Sequence, residues 1–147
     1  MELILWRHAE AEDGYPDAQR ALTAKGIKQA ARVAQWLKQR LHDDAEVLVS
    51  PAKRAQQTAG ALTADFKTVP AINTAAGPSA VLAAAGWPDA PRTVLVVGHQ
   101  PTLGETAALL LSGAVQSWSL KKGALIWIAH RHGDGAYLRA ALPPDLV

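Results

Sequence analysis

Short apolar segments alternate with helix-forming segments over residues 2–113, and this alternation restricts the fold more than any other feature of the chain. Three of the apolar segments have the length and composition of buried strands: Glu2–Trp6, Ala45–Val49 and Thr93–Val97. A fourth candidate strand, Lys67–Ile72, contains Pro70, which cannot donate a backbone hydrogen bond. Strands that alternate with helices predict an α/β fold, here a three-layer α/β/α sandwich with a mainly parallel central sheet.

Four helices are expected between or after these strands. Thr23 is the predicted N-cap of the first helix, because apolar residues then recur at helical spacing. That apolar stripe comprises Ile27, Ala30, Ala34, Leu37 and Leu41. Ser50 and Pro51 suit an N-cap and a first helical position, so a second helix is predicted from there to about Ala64. Two further helices are predicted at Pro78–Ala85, closed by Gly86, and from Pro101 to Gly113.

The chain changes character after residue 113. Ser119–Ala129 and Ala136–Ala141 have the composition of strands, and residues 131–135 between them have that of a hairpin connection. A C-terminal hairpin is therefore expected to extend the sheet. With 147 residues and 49% hydrophobic residues, the chain is long enough for one well-buried core, so residues 1–147 are expected to form a single domain.

Composition argues against several classes of function. The chain has no cysteine, which excludes disulfides, a thiolate nucleophile and thiolate metal ligands. Its formal net charge is +2 and its Lys and Arg residues are scattered, so no nucleic-acid partner is expected. No apolar run approaches the roughly 20 residues of a membrane span, and the residues after Met1 do not have the pattern of a secretory leader. A cytoplasmic monomer is expected.

Three of the predicted strands end in residues that suit the binding of an anion. Arg7 and His8 follow the first strand, Arg54 lies in the first turn of the helix after the second, and His99 follows the strand before the last helix. Ligands of open α/β sheets bind beyond the carboxyl ends of the strands. Helix N-termini at the same edge add N–H groups and a positive dipole end. One such residue alone would be an ordinary surface or capping group, whereas three strand ends with the same chemistry predict a phosphoryl site.

A second Arg–His pair lies in the triplet Arg131-His132-Gly133. It lies in the predicted hairpin connection, and its Gly-Asp-Gly neighbourhood is typical of a turn. His130 and His132 could in principle bind a metal, but no Cys or Glu lies nearby in the sequence. We therefore interpret the triplet as a solvated turn and predict neither a metal site nor a cofactor.

Four motifs occur in a fixed order along the chain: WRHAEA, LTAKGIKQA, VLVSPAKRAQQTA and VLVVGHQPTLG. Together they resemble the successive motifs of the histidine phosphatase superfamily, whose members have the phosphoglycerate-mutase-like fold. The resemblance runs from residue 3 to about residue 112. The compact length and the RHAEA start are most similar to phosphohistidine phosphatases of the SixA type.

The resemblance implies a role for individual residues. His8 matches the histidine that becomes phosphorylated. The residues that match groups holding the phosphoryl oxygens are Arg7, Arg54 and His99. Arg20 matches a further arginine near this pocket and is a candidate substrate-binding residue. Ala9 stands where the commoner residue of the signature is glycine.

The chain lacks an obvious proton donor for the leaving group. In larger relatives this acid usually lies between the motif that contains Arg54 and the motif that contains His99, yet no Asp or Glu occurs between Asp65 and Asp89, and Asn73 holds the family-like position. The remaining candidate acids are Glu10, Glu12, Asp13 and Glu105. A phosphoramidate such as phosphohistidine suits a site without an acid, because its leaving nitrogen is readily protonated.

The predicted function is therefore metal-independent hydrolysis of phosphohistidine in a partner protein, through a covalent phosphohistidine on His8. Little chain is left between Arg54 and His99 for a lid, so an open pocket could admit a phosphorylated side chain of a signalling protein. Two alternatives remain open: a phosphomonoesterase acting on a small metabolite, and a phosphate-binding regulatory module without turnover. The presence of both His and both Arg favours an enzyme, because binding alone does not require a nucleophile between the cations.

Overall fold

The computed structural model describes all 147 residues. Its helices and strands are β1 (Glu2–Arg7), α1 (Ala24–Lys38), β2 (Glu46–Val49), α2 (Lys53–Gly60), β3 (Lys67–Thr68), α3 (Pro78–Ala85), β4 (Val94–Gly98), α4 (Thr102–Ser112), β5 (Leu125–Arg131) and β6 (Gly135–Leu142). Short 3-10 turns occupy Asp17–Gln19, Pro70–Ile72 and Pro144–Leu146. None of the helices combines the length and the apolar character that crossing a membrane requires.

All six strands form one sheet in the order β3-β2-β4-β1-β5-β6. The pairs β1–β4, β2–β4 and β2–β3 are parallel, whereas β5 and β6 add an antiparallel hairpin beside β1. The predicted fold class, a mainly parallel sheet with a C-terminal hairpin, is confirmed. This order places the ends of β1, β2 and β4 side by side at one edge of the sheet.

Helices cover both faces of the sheet, because successive side chains of a strand point to opposite faces. In β1, Leu3 and Leu5 lie in the core beneath α3 and α4, which contribute Val81 and Leu103. Ile4 and Trp6 lie in the second core, with α1 and α2 above them. Two apolar layers therefore hold β1 from both sides, and they fix the position of the residues that follow it.

The first helix begins as predicted but differs from the prediction in two respects. The Thr23 side chain accepts a hydrogen bond from the Gly26 N–H, which makes it the N-cap. The helix ends at Lys38, so Leu41 follows it but still packs against the same core as Leu37, and Ile27 is exposed. Gly26 lies so close to the backbone of Glu10 that any side chain there would overlap its carbonyl. Close packing against the loop after β1 therefore turns Ile27 away from the core.

Several predicted boundaries are wrong. The second helix begins at Lys53 and ends at Gly60, because Ser50 and Pro51 continue the strand exit instead of capping the helix. The third strand is reduced to two residues, and Pro70 begins a 3-10 turn in place of the rest. Residues 119–124 are not part of β5, which begins at Leu125. The bounds of the fourth helix are confirmed, because Pro101 and Gly113 are its N-cap and C-cap.

The hairpin turn between β5 and β6 lies beside the start of β1, at the other end of the strands from His8. Strand β5 runs antiparallel to β1, with Leu125 opposite Trp6 and Ala129 opposite Glu2. The triplet that begins at Arg131 therefore lies beyond the start of β1, whereas His8 lies beyond its end. At a rise of roughly 3.3 Å per residue, the six residues of β1 separate them by about 20 Å.

Candidate active site

The parallel register of β1 and β4 brings His8 and His99 together. Arg7 is paired with Gly98, so the next residue of each strand leaves the sheet at the same edge. The His8 backbone N–H donates to the Gly98 carbonyl oxygen at 3.0 Å. The two imidazole rings lie 5.1 Å apart between centroids, and both are buried. The sheet thus delivers the two predicted histidines into one pocket.

The hydrogen bonds of His8 define which ring nitrogen is free to act. Its Nδ1 lies 2.8 Å from the Ala9 carbonyl oxygen, which can only accept, so Nδ1 carries the ring proton. Its Nε2 then holds the lone pair and accepts a long 3.3 Å hydrogen bond from the Arg54 Nε–H. In this arrangement Nε2 carries the lone pair of a neutral imidazole, which is the state that a nitrogen nucleophile requires.

The environment keeps both histidines neutral. Burial lowers the pKa of His8 to about 3, and the charges of His99, Arg54 and Arg7 add to the decrease, whereas the hydrogen bond to the Ala9 carbonyl opposes it. Burial also lowers the pKa of His99 to about 4, with the Arg54 charge as the next contribution. Removal of water from the His8 ring is the largest cause, and the charges of the neighbouring arginines contribute less.

A titration of the imidazole resonances by NMR tests this directly. Because a lowered pKa favours the neutral form, His8 should stay unprotonated from pH 7.5 down to pH 5.5, and its ring shifts should stay constant. The His8→Gln variant identifies the resonance. A midpoint near the usual value of about 6.5 would show that the ring is more hydrated than the structure indicates.

Arg54 is joined to Arg20 through a residue that the sequence did not single out. The Arg54 Nη2 and Nη1 groups donate to the Asp17 carboxylate at 3.1 Å and to its backbone oxygen at 2.9 Å. Arg20 donates to the other carboxylate oxygen at 3.0 Å. Its Nε donates to the Glu12 carbonyl oxygen. Arg20 therefore contacts Asp17 and the Glu12 backbone rather than His8.

Asp17 is half-exposed, and its charge state follows from these contacts. Hydrogen bonds from Arg20 and then Arg54, together with their charges, lower the pKa of Asp17. An ionised carboxylate accepts hydrogen bonds and cannot donate a proton. Asp17 thus holds the position of Arg54 in the absence of substrate. The only local sign of this role in the sequence is that Asp17 lies three residues before Arg20, a spacing at which the two side chains can pair.

Two buried nitrogen atoms of the predicted site residues, one in Arg7 and one in His99, have no protein partner. Arg7 donates from Nη1 to the Leu120 carbonyl oxygen at 2.8 Å, while its Nε has no partner. The His99 Nε2 lies 2.7 Å from the Ser50 hydroxyl, while its Nδ1 also has no partner. When Nε2 accepts from that hydroxyl, Nδ1 carries the proton. Unsatisfied buried polar atoms are costly, which makes these two atoms candidates for contact with a bound group.

Thr58 positions the loop that carries His8, and sequence analysis did not identify it. Its buried hydroxyl accepts from the Ala9 N–H at 3.0 Å and donates to the Arg54 carbonyl oxygen at 2.8 Å. Ala9 is fully buried, and its side chain packs with Leu22 and Ala30 in a small apolar cluster. The methyl group that replaces the commoner glycine is therefore accommodated by the core.

The structure shows no free acid in place of the missing one. The Glu10 carboxylate accepts from the Thr23 hydroxyl at 2.9 Å, which ties it to the start of α1. Asn73 turns its side chain to the neighbouring Thr74 N–H. Glu12 and Asp13 are on the surface, and Glu105 is in the first turn of α4. No group of three His, Asp or Glu side chains is placed to hold a metal ion.

Replacing Arg54 by alanine should lower kcat/KM about 10²- to 10³-fold, as the loss of an oxyanion donor typically does. The guanidinium donates both to the His8 ring and to the Asp17 carboxylate, so it can donate to an oxyanion beside His8. The matched control is Arg131→Ala at the opposite edge of the sheet, which should retain full activity. Urea unfolding curves should first show that both variants are folded. Steady-state kinetics then measure kcat/KM for each variant. Equal effects of the two substitutions would contradict the placement of the pocket.

The site and the fold together define a class of protein. Two buried neutral imidazoles and two guanidinium groups meet at the carboxyl edge of a mainly parallel sheet. Such a set can bind a tetrahedral oxyanion and offer it a nitrogen nucleophile. The class is that of phosphoryl-handling α/β proteins.

Comparison with known sequences gives the family. Residues 3–76 match the sequence model of the histidine phosphatase superfamily (branch 1). The phosphohistidine phosphatase SixA of Escherichia coli K12 is 31% identical over 123 residues, which cover 77% of this chain and 76% of that protein. An uncharacterized protein of Picosynechococcus sp. is 38% identical over 138 residues, which cover 86% and 83%. The chain belongs to the histidine phosphatase superfamily. It is a SixA-like member, as its motifs indicated, although the family match ends before His99.

Solved structures agree on the fold. The protein histidine phosphatase SixA complexed with tungstate has a TM-score of 0.81 and 24% identity, over 99% of both chains. The alpha-ribazole phosphatase from Shigella flexneri has a TM-score of 0.71 and 20% identity, over 98% of this chain and 97% of that one. At these identities the likeness concerns the fold alone. The family and the fold establish a phosphatase-type hydrolase.

Proposed function

We propose that this protein hydrolyses phosphohistidine in a partner protein through a covalent phosphohistidine on its own His8. The observation that carries the proposal is the geometry of His8, in which Nδ1 donates to the Ala9 carbonyl and Nε2 keeps its lone pair, which meets only a long 3.3 Å contact from the Arg54 Nε–H. The SixA relative, named as a phosphohistidine phosphatase, supports the substrate class.

The first step transfers the phosphoryl group to the enzyme. The His8 Nε2 forms a bond to phosphorus while the bond from phosphorus to the substrate imidazole breaks, and a solvent proton is taken up by the leaving nitrogen. Arg7, Arg54 and His99 donate hydrogen bonds to the three phosphoryl oxygens. The Ala9 carbonyl accepts from Nδ1 throughout, which stabilises the positive charge of the phosphorylated ring.

The second step releases phosphate. Water attacks phosphorus, the bond from phosphorus to Nε2 breaks, and inorganic phosphate leaves with neutral His8 restored. Protein groups supply positioning and charge at every point, which is most of what phosphoryl transfer requires. The proposed reaction therefore needs no metal ion.

Arg54 must exchange partners when the substrate arrives. In this structure its guanidinium donates to Asp17 and to His8. A phosphoryl group that binds between Arg54 and His8 replaces the exposed Asp17 carboxylate with a more highly charged anion. Arg20, which holds the other oxygen of Asp17, keeps the released carboxylate close by.

The experiment that tests the proposal locates the phosphoryl group. The protein is mixed with phosphoramidate in the presence of EDTA, quenched at alkaline pH and digested for mass spectrometry. The phosphoryl group should be on the peptide that contains His8, and EDTA should not reduce the labelling. A label on another residue, or labelling that requires a divalent cation, would overturn the proposal.

A second candidate is a phosphatase for a small metabolite, which the structural likeness to an alpha-ribazole phosphatase favours. That reaction releases an alcohol and benefits from a proton donor. The pocket offers no such donor, because Asp17 is held ionised and Glu10 is bound to Thr23. We therefore place it second.

A further inference from the structure

A groove of about 720 Å³ opens beside Arg7, away from His8. It lies between α1, the loop before β5 and the C-terminal turn Pro144–Leu146. Arg7 belongs to both places, because its charge is close enough to lower the pKa of His8 and its side chain lines the groove. Any molecule that lies in this groove is therefore adjacent to the proposed phosphoryl site.

Positive charge dominates the groove. Its cationic side chains, called here the cationic groove, are Arg7, Lys25, Lys28, Arg32, Lys121 and Lys122. Its acidic side chains are Glu10 and Asp145, so the groove has an excess of four positive charges, whereas the whole chain has a formal net charge of +2. The positive charge of this chain is thus concentrated beside the pocket.

Two elements of the fold supply these cations. Lys25, Lys28 and Arg32 are three and four residues apart on α1, which places them on one face of the helix. Lys121 and Lys122 follow Leu120, whose carbonyl oxygen accepts a hydrogen bond from Arg7. These segments are far apart in the sequence, so the groove exists only in the folded chain.

Three of the lysines are free to meet a ligand. Lys122 is 3.9 Å from Glu10, and Arg32 donates to the terminal Val147 carbonyl oxygen. Lys25, Lys28 and Lys121 are exposed and take no part in any of the five ion pairs of the structure. Uncompensated cations on a rim attract anionic partners and speed their association.

The lining indicates the kind of anion. None of the ten lining residues is hydrophobic, whereas pockets for small molecules are mostly apolar and aromatic. No aromatic side chain is present on which a nucleobase could stack. A wide groove whose lining, apart from Pro144, consists of charged and polar side chains instead resembles the charged rim of a protein–protein interface.

We propose that the cationic groove docks an acidic segment of the phosphorylated partner protein while its phosphohistidine reaches His8. This inference rests on the proposed function and specifies the partner: its phosphorylated histidine is flanked by carboxylates. Arg7 connects the two interactions, because one guanidinium faces both the phosphoryl oxygens and the docked segment.

Two peptides with one phosphohistidine each provide the test. In one the histidine is flanked by glutamates, and in the other by glutamines, which have the same shape without the charge. We expect kcat/KM to be about tenfold higher for the glutamate peptide at low ionic strength, and the difference to disappear as salt is added.

Charge-reversal variants then locate the effect. Lys28→Glu and Lys121→Glu should each remove most of the preference for the glutamate peptide while leaving hydrolysis of p-nitrophenyl phosphate unchanged. Lys38→Glu is the matched control, because it lies on the same helix outside the groove and should keep the preference. A loss of p-nitrophenyl phosphate hydrolysis in the groove variants would contradict the separation of docking from catalysis.

Binding of the unphosphorylated glutamate peptide, followed by fluorescence anisotropy, separates this proposal from the proposed function. If the peptide binds in a Lys28-dependent manner but neither phosphopeptide is hydrolysed, the docking surface stands and the phosphohistidine reaction is wrong. If both phosphopeptides are hydrolysed and bound equally, the reaction stands and the docking surface is wrong. Inorganic tripolyphosphate that binds more tightly than the glutamate peptide would assign the groove to a phosphorylated small molecule and overturn the proposal.

Discussion

Replacing His8 by alanine should lower the rate of phosphohistidine hydrolysis at least about 10⁴-fold, since removal of a covalent nucleophile has effects of this size or larger in other enzymes. No other side chain in the pocket offers a free lone pair at the same point, because His99 is engaged by the Ser50 hydroxyl. Labelling by phosphoramidate should be lost together with turnover. Steady-state kinetics and mass spectrometry of the same preparation measure both.

The control for this substitution is His132→Ala. His132 belongs to the other Arg–His pair and lies in the exposed hairpin turn at the opposite edge of the sheet. It should keep wild-type activity. His8→Gln, which preserves more of the side-chain volume, should be as inactive as His8→Ala and guards against loss of folding. Residual activity in His8→Gln near the wild-type value would exclude covalent catalysis at this residue.

The second large effect concerns the leaving group. Phosphohistidine should be the best substrate, p-nitrophenyl phosphate intermediate and glycerol phosphate the poorest. The alcohol lacks proton assistance worth roughly 10²- to 10⁴-fold, whereas the imidazole nitrogen takes a proton from solvent and the nitrophenolate leaves without one. Values of kcat/KM for the three substrates at neutral pH provide the measurement.

Variants of the nearby carboxylates identify any exception. Asp17→Asn and Glu10→Gln should change the ratio between glycerol phosphate and p-nitrophenyl phosphate by less than about twofold, because neither residue is placed to give up a proton. If glycerol phosphate is the best substrate and one of these variants abolishes that advantage, that residue is the acid and the metabolite is the substrate class.

The strand ends were predictable from the sequence because their chemistry is local. Two apolar runs end in Arg7-His8 and in Gly98-His99. The local sequence alone therefore places these residues at the ends of strands. Parallel pairing then gives both exits the same edge, since parallel strands that are neighbours end together. The alternation of strands and helices predicted that pairing, and the Thr23 cap was readable for the same local reason.

The tertiary structure alone decided how the pocket is held. Asp17 and Thr58 act through partners 37 and 49 residues away, Arg54 and Ala9, and no spacing in the sequence encodes such contacts. The start of α2 was mispredicted by two residues: the Ser50 hydroxyl contacts the His99 ring and accepts from the N–H of Ala52, and Ala52 is the residue that caps the helix.

The charge of the groove and the neutrality of His8 have the same physical origin. The sequence determined which residues carry charge, and it gave a chain with a formal net charge of only +2. Folding brought Lys28 and Lys121 from separate segments to one surface and removed His8 from water. Electrostatic effects depend on distance and on burial, and both are properties of the folded chain rather than of the order of its residues.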